Sequence, residues 1–165
     1  MGGRDVDGGG VAAAAEYKAR QGRVMTAGDV SPKSHEGAGI KLTGECLCGA
    51  VRYTAQSAGE VTHCHCRMCQ RATGAGFATW IRARLLDSIG RVACFRSSDK
   101  VLRKFCPTCG SSLMMDYDDE DVVWLAIGSL DTPEAVTPDN SIWTEARLPC
   151  VSAVDAGLLT QLKES

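Results

Sequence analysis

Val101-Leu102-Arg103-Lys104-Phe105-Cys106-Pro107-Thr108-Cys109-Gly110-Ser111-Ser112-Leu113-Met114-Met115 sets two short β-type runs, 101–105 and 112–115, on either side of a Cys-Pro-x-Cys-Gly turn. Pro107 presets the bend, and Gly110 is free to take the left-handed backbone conformation that aims amide donors at a thiolate. A turn of this composition is a zinc knuckle, and it calls for partner thiols elsewhere in the chain.

Those partners lie upstream. Five further cysteines fall in two tight clusters, Cys46-x-Cys48 and Cys64-x-Cys66-x-x-Cys69, so the three clusters hold all but two of the nine cysteines. Seven thiolates are too many for one tetrahedral zinc and one short of filling two, the count expected of a closed structural centre beside an open one. In an extended strand, residues two apart point the same way, so Cys46 and Cys48 can present both sulfurs to one metal. Joined to Cys106 and Cys109 they make a four-thiolate site whose binding energy becomes folding energy. Cys64 and Cys66 are also at strand spacing, with His63 and His65 on the opposite face, and Cys69 returns as the chain turns. Three thiolates leave a zinc one open position, where water, a substrate thiol or a carbonyl oxygen can enter. The spacing leaves open a second reading, in which His63, His65 or another side chain closes this site as an inert centre. Cys94 and Cys150 read as core residues, as do Trp80, Trp124 and Trp143.

Other β-type runs fall at 50–54, 76–81, 91–96, 122–128 and 141–144, punctuated by Gly, Pro, Asp and Ser, which predicts a mainly antiparallel β domain. The acidic stretch 116–121 is expected to top a hairpin as a solvated loop. Residues 1–40 are rich in glycine and alanine and poor in large apolar residues, so they read as a flexible tail. Within it Arg4, Lys18, Arg20, Arg23 and Lys33 balance Asp5, Asp7, Glu16, Asp29 and Glu36. Residues 156–163 carry weak helical periodicity inside a short C-terminal extension, 153–165.

The 165 residues carry a net charge of −2, which gives no overall pull toward nucleic acid or anionic lipid. The longest apolar runs, such as 122–127, are far too short to span a bilayer. The odd cysteine count, the clustered spacing and the lack of a signal-peptide-like apolar core predict a reducing compartment, most simply the cytoplasm.

The runs Gly44-Glu45-Cys46-Leu47-Cys48-Gly49-Ala50-Val51-Arg52-Tyr53, His63-Cys64-His65-Cys66-Arg67-Met68-Cys69-Gln70, Phe95-Arg96-Ser97-Ser98 and Phe105 to Gly110 occur in that order. With the later Gly128-Ser129-Leu130-Asp131-Thr132-Pro133-Glu134 and Ile142-Trp143-Thr144-Glu145, the chain resembles the glutathione-dependent formaldehyde-activating enzyme family, which includes centromere protein V. The resemblance covers 41–152. It implies a β-tent fold of antiparallel sheets, a structural zinc on Cys46, Cys48, Cys106 and Cys109, and a catalytic zinc on Cys64, Cys66 and Cys69. It further implies carbon-sulfur lyase chemistry, with glutathione and formaldehyde joined as S-hydroxymethylglutathione. The chain departs from the family at Cys150, where related sequences usually carry tryptophan after Leu-Pro. Residues 96–104, together with Arg67 and Arg71, are candidate partners for the carboxylates of a glutathione-like substrate. The competing expectation is a non-catalytic zinc module that docks a protein partner.

Overall fold

The computed structural model describes residues 24–25 and 39–151. Most of the tail expected at 1–40, the extension 153–165 and the periodicity at 156–163 lie outside the described residues.

The fold is mainly antiparallel β, as the punctuated runs predict. Its strands are β1 (Val24–Met25), β2 (Lys41–Glu45), β3 (Arg52–Cys64), β4 (Ala78–Ile89), β5 (Val92–Arg96), β6 (Val101–Phe105), β7 (Ser112–Tyr117), β8 (Val123–Ala126) and β9 (Asn140–Ile142). They form one sheet in the order β1-β5-β6-β7-β8-β4-β3-β2, and β9 pairs in parallel with β3. A seven-residue helix, α1 (Arg67–Thr73), follows β3.

Strand β6 falls where the sequence places it, and the runs at 91–96, 112–115, 122–128 and 141–144 are found with ends shifted by a few residues. Three features differ from expectation. β2 is a strand that the sequence reading left out. β3 and β4 extend well beyond 50–54 and 76–81 and pair along most of their length, with register shifts between Thr54 and Ala55 and between Ser57 and Val61. The polar stretch Ala55-Gln56-Ser57-Ala58-Gly59-Glu60 has no large apolar alternation, so the pairing with β4 rather than local pattern makes it a strand. Helix α1 replaces the simple turn expected at Cys69, and seven residues are too few to show a helical period.

Neighbouring residues in a strand face opposite sides of the sheet. Ile81 and Met114 pack into a core with Cys46, Val51, Tyr53, Cys106, Leu113 and Leu125. Their neighbours Trp80 and Met115 join a second cluster with Cys64, Cys69 and Val101. The two thiol groups therefore belong to opposite faces of the sheet.

Candidate metal centres

Cys46 closes the end of β2, and the chain then turns through Leu47 and Cys48. The turn is fastened by Cys46 N–H to the Val51 carbonyl at 2.9 Å and by Gly49 N–H to the Cys46 carbonyl at 2.9 Å. The knuckle between β6 and β7 repeats this pattern: Cys106 N–H bonds the Ser111 carbonyl at 3.0 Å and Gly110 N–H bonds the Cys106 carbonyl at 2.9 Å. Gly49 and Gly110 have φ of 71° and 77°, the left-handed region that side chains disfavour, which permits both turns. The expectation for Gly110 holds. The expectation that Cys46 and Cys48 lie along an extended strand does not: a tight turn brings their sulfurs to one side.

The four sulfurs of Cys46, Cys48, Cys106 and Cys109 lie within 4.8 Å of one another. Cys46 Sγ is 3.5 Å from Cys48 Sγ, which is 3.8 Å from Cys106 Sγ. Sulfurs about 2.3 Å from a tetrahedral zinc are about 3.8 Å apart, so the donor set fits that ion without a disulfide. Amide donors already point at the sulfurs, from Val51 to Cys46 at 3.2 Å and from Thr108 to Cys106 at 3.4 Å. The Ser111 hydroxyl and amide hold the Cys109 thiol down to about 5. Ser111 also takes a hydrogen bond from Leu47 N–H at 3.0 Å, tying the two turns together. The sequence reading did not single it out.

On the other face, Cys64 ends β3, Cys66 caps α1 by accepting from Cys69 N–H at 3.4 Å, and Cys69 sits in the first turn of the helix. Their sulfurs also lie within 4.8 Å of one another, and among the described residues no histidine or carboxylate joins them. His63 instead bonds Thr79 Oγ1 through Nδ1 at 2.8 Å and packs edge-on against Phe77, and the His65 ring also lies against Phe77. The geometry disfavours closure of the triplet by either histidine. Contact with Cys64, then the Arg103 guanidinium, holds the Cys69 thiol down to about 5, while contact with Cys69 and burial push Cys64 up. Each of the two thiol groups could hold a metal ion.

Arg103, on β6, is buried and points inward. Its Nη2 donates to Cys69 Sγ at 3.6 Å, Nε to Ser97 Oγ at 3.1 Å and Nη1 to Met115 Sδ at 3.8 Å. No carboxylate pairs with it among the described residues, so thiolate charge is the anionic partner within reach. The rest of the basic stretch 96–104 behaves differently. Arg96 pairs with Asp118, Lys100 with Asp119 and buried Lys104 with Asp116, so the acidic loop takes up the cations expected to meet substrate.

The triplet opens into a cleft of about 430 Å³ lined by Arg67, Arg103, Tyr117, Trp80, Trp124 and Trp143 among others. Trp80 is fully buried, as a core reading requires. Trp124 is half-buried and packs against the second core cluster, whereas Trp143 is 59% exposed, so for Trp143 the core reading is corrected. Cys94 is buried, whereas Cys150 is exposed and outside both thiol groups. Neither Arg103 nor Tyr117 carries a sequence signal of its own; only the alternation of β6 and β7 past Cys69 places them here.

A family model described as glutathione-dependent formaldehyde-activating enzyme matches residues 41–146, from the first residue of β2 to the last residue of the Thr144–Ala146 turn. The chain belongs to that family. Both thiol groups of this formaldehyde-activating-family member, Arg103 and all three tryptophans fall within the match. No curated protein matches the chain. Among the described residues no helix is long and apolar enough to cross a membrane.

Proposed function

We propose that the chain is a zinc-dependent carbon-sulfur lyase acting on the adduct of a thiol and an aldehyde, with glutathione and formaldehyde as the pair the family suggests. The observation that carries this reading is the triplet Cys64, Cys66 and Cys69, three sulfurs joined by no histidine or carboxylate among the described residues, facing an open cleft. A zinc held there supplies Lewis acidity and favours the thiolate form of an entering thiol. In the synthetic direction a sulfur lone pair forms the bond to the carbonyl carbon, the π pair moves to oxygen, and the proton lost by the thiol ends on that oxygen. The lyase direction is the reverse. Tyr117 lines the cleft, and burial together with the nearby Cys69 thiolate pushes its hydroxyl up, so it bears a proton at neutral pH beside the developing alkoxide.

The four-thiol centre of Cys46, Cys48, Cys106 and Cys109 is the structural zinc in this reading, within one zinc domain spanning 41–152. Thiols in this state require a reducing compartment, and we place the protein in the cytoplasm, acting on small molecules rather than nucleic acid or membrane.

Zinc analysis on freshly purified protein should return two ions per chain. Cys66→Ser should abolish turnover above the uncatalysed background while the fold survives; Cys109→Ser should unfold the domain. If both variants unfold alike, or Cys66→Ser keeps full activity, the division between the centres is wrong. Two zincs with no turnover of any thiol adduct would favour the inert docking module.

A further inference from the structure

We propose that the carbon side of the adduct is not a bare one-carbon unit: the cleft beside the triplet is built for an aldehyde bearing an aromatic or comparably bulky apolar group. This rests on the function proposed above and specifies its substrate class.

Size gives the first reason. A one-carbon group occupies about the space of a water molecule, about 30 Å³. The cleft measures about 430 Å³, within the range of sites that enclose whole organic ligands, so it has room for a bulky aldehyde-derived group beside the carbon chain of a small thiol. Composition gives the second. Its walls include Trp80, Trp124, Trp143, Tyr117 and Met115; of its two cations, Arg67 bonds Gln70 Oε1 and Arg103 bonds Cys69 Sγ and Ser97 Oγ, and among the described residues no carboxylate lines it. Aromatic and thioether surfaces of this kind favour a flat apolar ring and offer little to a hydrated polar chain.

The third reason is how Trp143 is held. It is the one non-glycine residue with positive φ among the described residues, at 56°. A left-handed backbone is unfavourable for an aromatic residue, and strain of this kind persists only where the surroundings enforce it. The enforcement is visible on both sides. β9 pairs with β3 so that Ile142 lies opposite Cys64, and His65 N–H bonds the Ile142 carbonyl at 3.0 Å. Beyond Trp143, the buried Gln70 amide donates to the Ala146 carbonyl at 3.0 Å and to the His65 carbonyl at 2.7 Å. The backbone of a residue that is 59% exposed is thus fixed at the edge of the cleft, fastened to the strand and helix that carry the triplet sulfurs. Burying the ring in the core cannot be what holds it there; contact with a ligand gives the arrangement a use.

In such an adduct the aldehyde-derived group is one bond from sulfur. 2-Phenylethanethiol therefore reproduces the sulfur and ring of a phenylacetaldehyde adduct, lacking the hydroxyl and the carbon substituent that the thiol partner would bring. Titration calorimetry on the zinc-loaded full chain, with tryptophan fluorescence in parallel, would compare it with ethanethiol and glutathione. The expected result is 2-phenylethanethiol binding at least about tenfold tighter than ethanethiol, with quenched fluorescence. Trp143→Ala should cut that ratio at least about threefold and Trp143→Phe should restore most of it, zinc content and melting temperature serving as controls of folding. Equal affinity for the two simple thiols, or a ratio indifferent to Trp143→Ala, overturns this inference and leaves the lyase reading standing. If none of the three thiols binds, the lyase reading itself fails and the inference falls with it.

Discussion

Arg103 is a buried cation whose nearest anionic partner is a thiolate. Three thiolates around a divalent zinc, as proposed for this site, would leave one net negative charge, which a guanidinium at 3.6 Å from Cys69 Sγ would offset in a poorly solvated setting. Outer groups of this kind typically change metal affinity about 10–100-fold when removed. Arg103→Met, which keeps the length and removes the charge, should weaken the triplet's hold on zinc by that order while leaving the four-thiol centre untouched. Competition with a chromophoric chelator reads this directly as one of two release steps shifting. If both steps stay where they were, Arg103 is a packing residue only. The residue also marks a limit of sequence reading. Within Val101-Leu102-Arg103-Lys104-Phe105 nothing separates Arg103 from its neighbour Lys104, yet one meets Cys69 and the other Asp116, because adjacent residues of β6 face opposite ways.

Among the elements, the segment from β8 into the Ile127–Ser129 turn shows how secondary structure is locked around the core. Tyr53 on β3 meets Ser129 Oγ at 2.7 Å, and the Ser129 hydroxyl in turn donates to the Ala126 carbonyl at 2.8 Å. Burial pushes the Tyr53 phenol up to about 12, against an ordinary 10. Above pH 10 the unfolded chain loses this proton while the folded one keeps it, so stability falls as pH rises from 10 to 12. The effect is on the order of 2–3 kcal/mol once both states have titrated. Tyr53→Phe should remove that part of the alkaline slope, measured by denaturant unfolding at pH 8 and above. An unchanged slope would mean that another group titrates there. The elements differ in how far they could be read beforehand. β6 and β7 are short runs on either side of a Cys-Pro-x-Cys-Gly turn, so they were legible. β2 and the middle of β3 were not, since Lys41-Leu42-Thr43-Gly44-Glu45 and the Gly59 region have little apolar pattern and owe their state to partners far along the chain. The grouping of the seven thiols followed from ligand arithmetic, whereas the turn at Cys46 and the helix at Cys69 depended on backbone hydrogen bonds that spacing cannot display.

For the molecule as a whole, the two centres differ in what depends on them. Cys46 and Cys106 are fully buried among the apolar side chains of the larger core. A structural zinc contributes about 10–16 kcal/mol, comparable to or larger than the about 5–15 kcal/mol that separates a folded domain from its unfolded state. The triplet faces an open cleft and closes no such loop between distant strands. Stepwise chelation should therefore release one zinc with the circular dichroism spectrum intact and the second together with cooperative unfolding. Loss of both metals in a single unfolding step would show the centres to be thermodynamically inseparable.

The alternation Trp80 then Ile81 on β4, and Met115 then Met114 on β7, assigns one side chain of each pair to each metal environment. Inserting or deleting a single residue in either strand would exchange those assignments, sending an indole toward the four-thiol group and an aliphatic group toward the triplet. Tolerance for changes in chain length is thus confined to the hairpin tips, and the surroundings of both thiol groups would be altered together by a change too small to break the sheet.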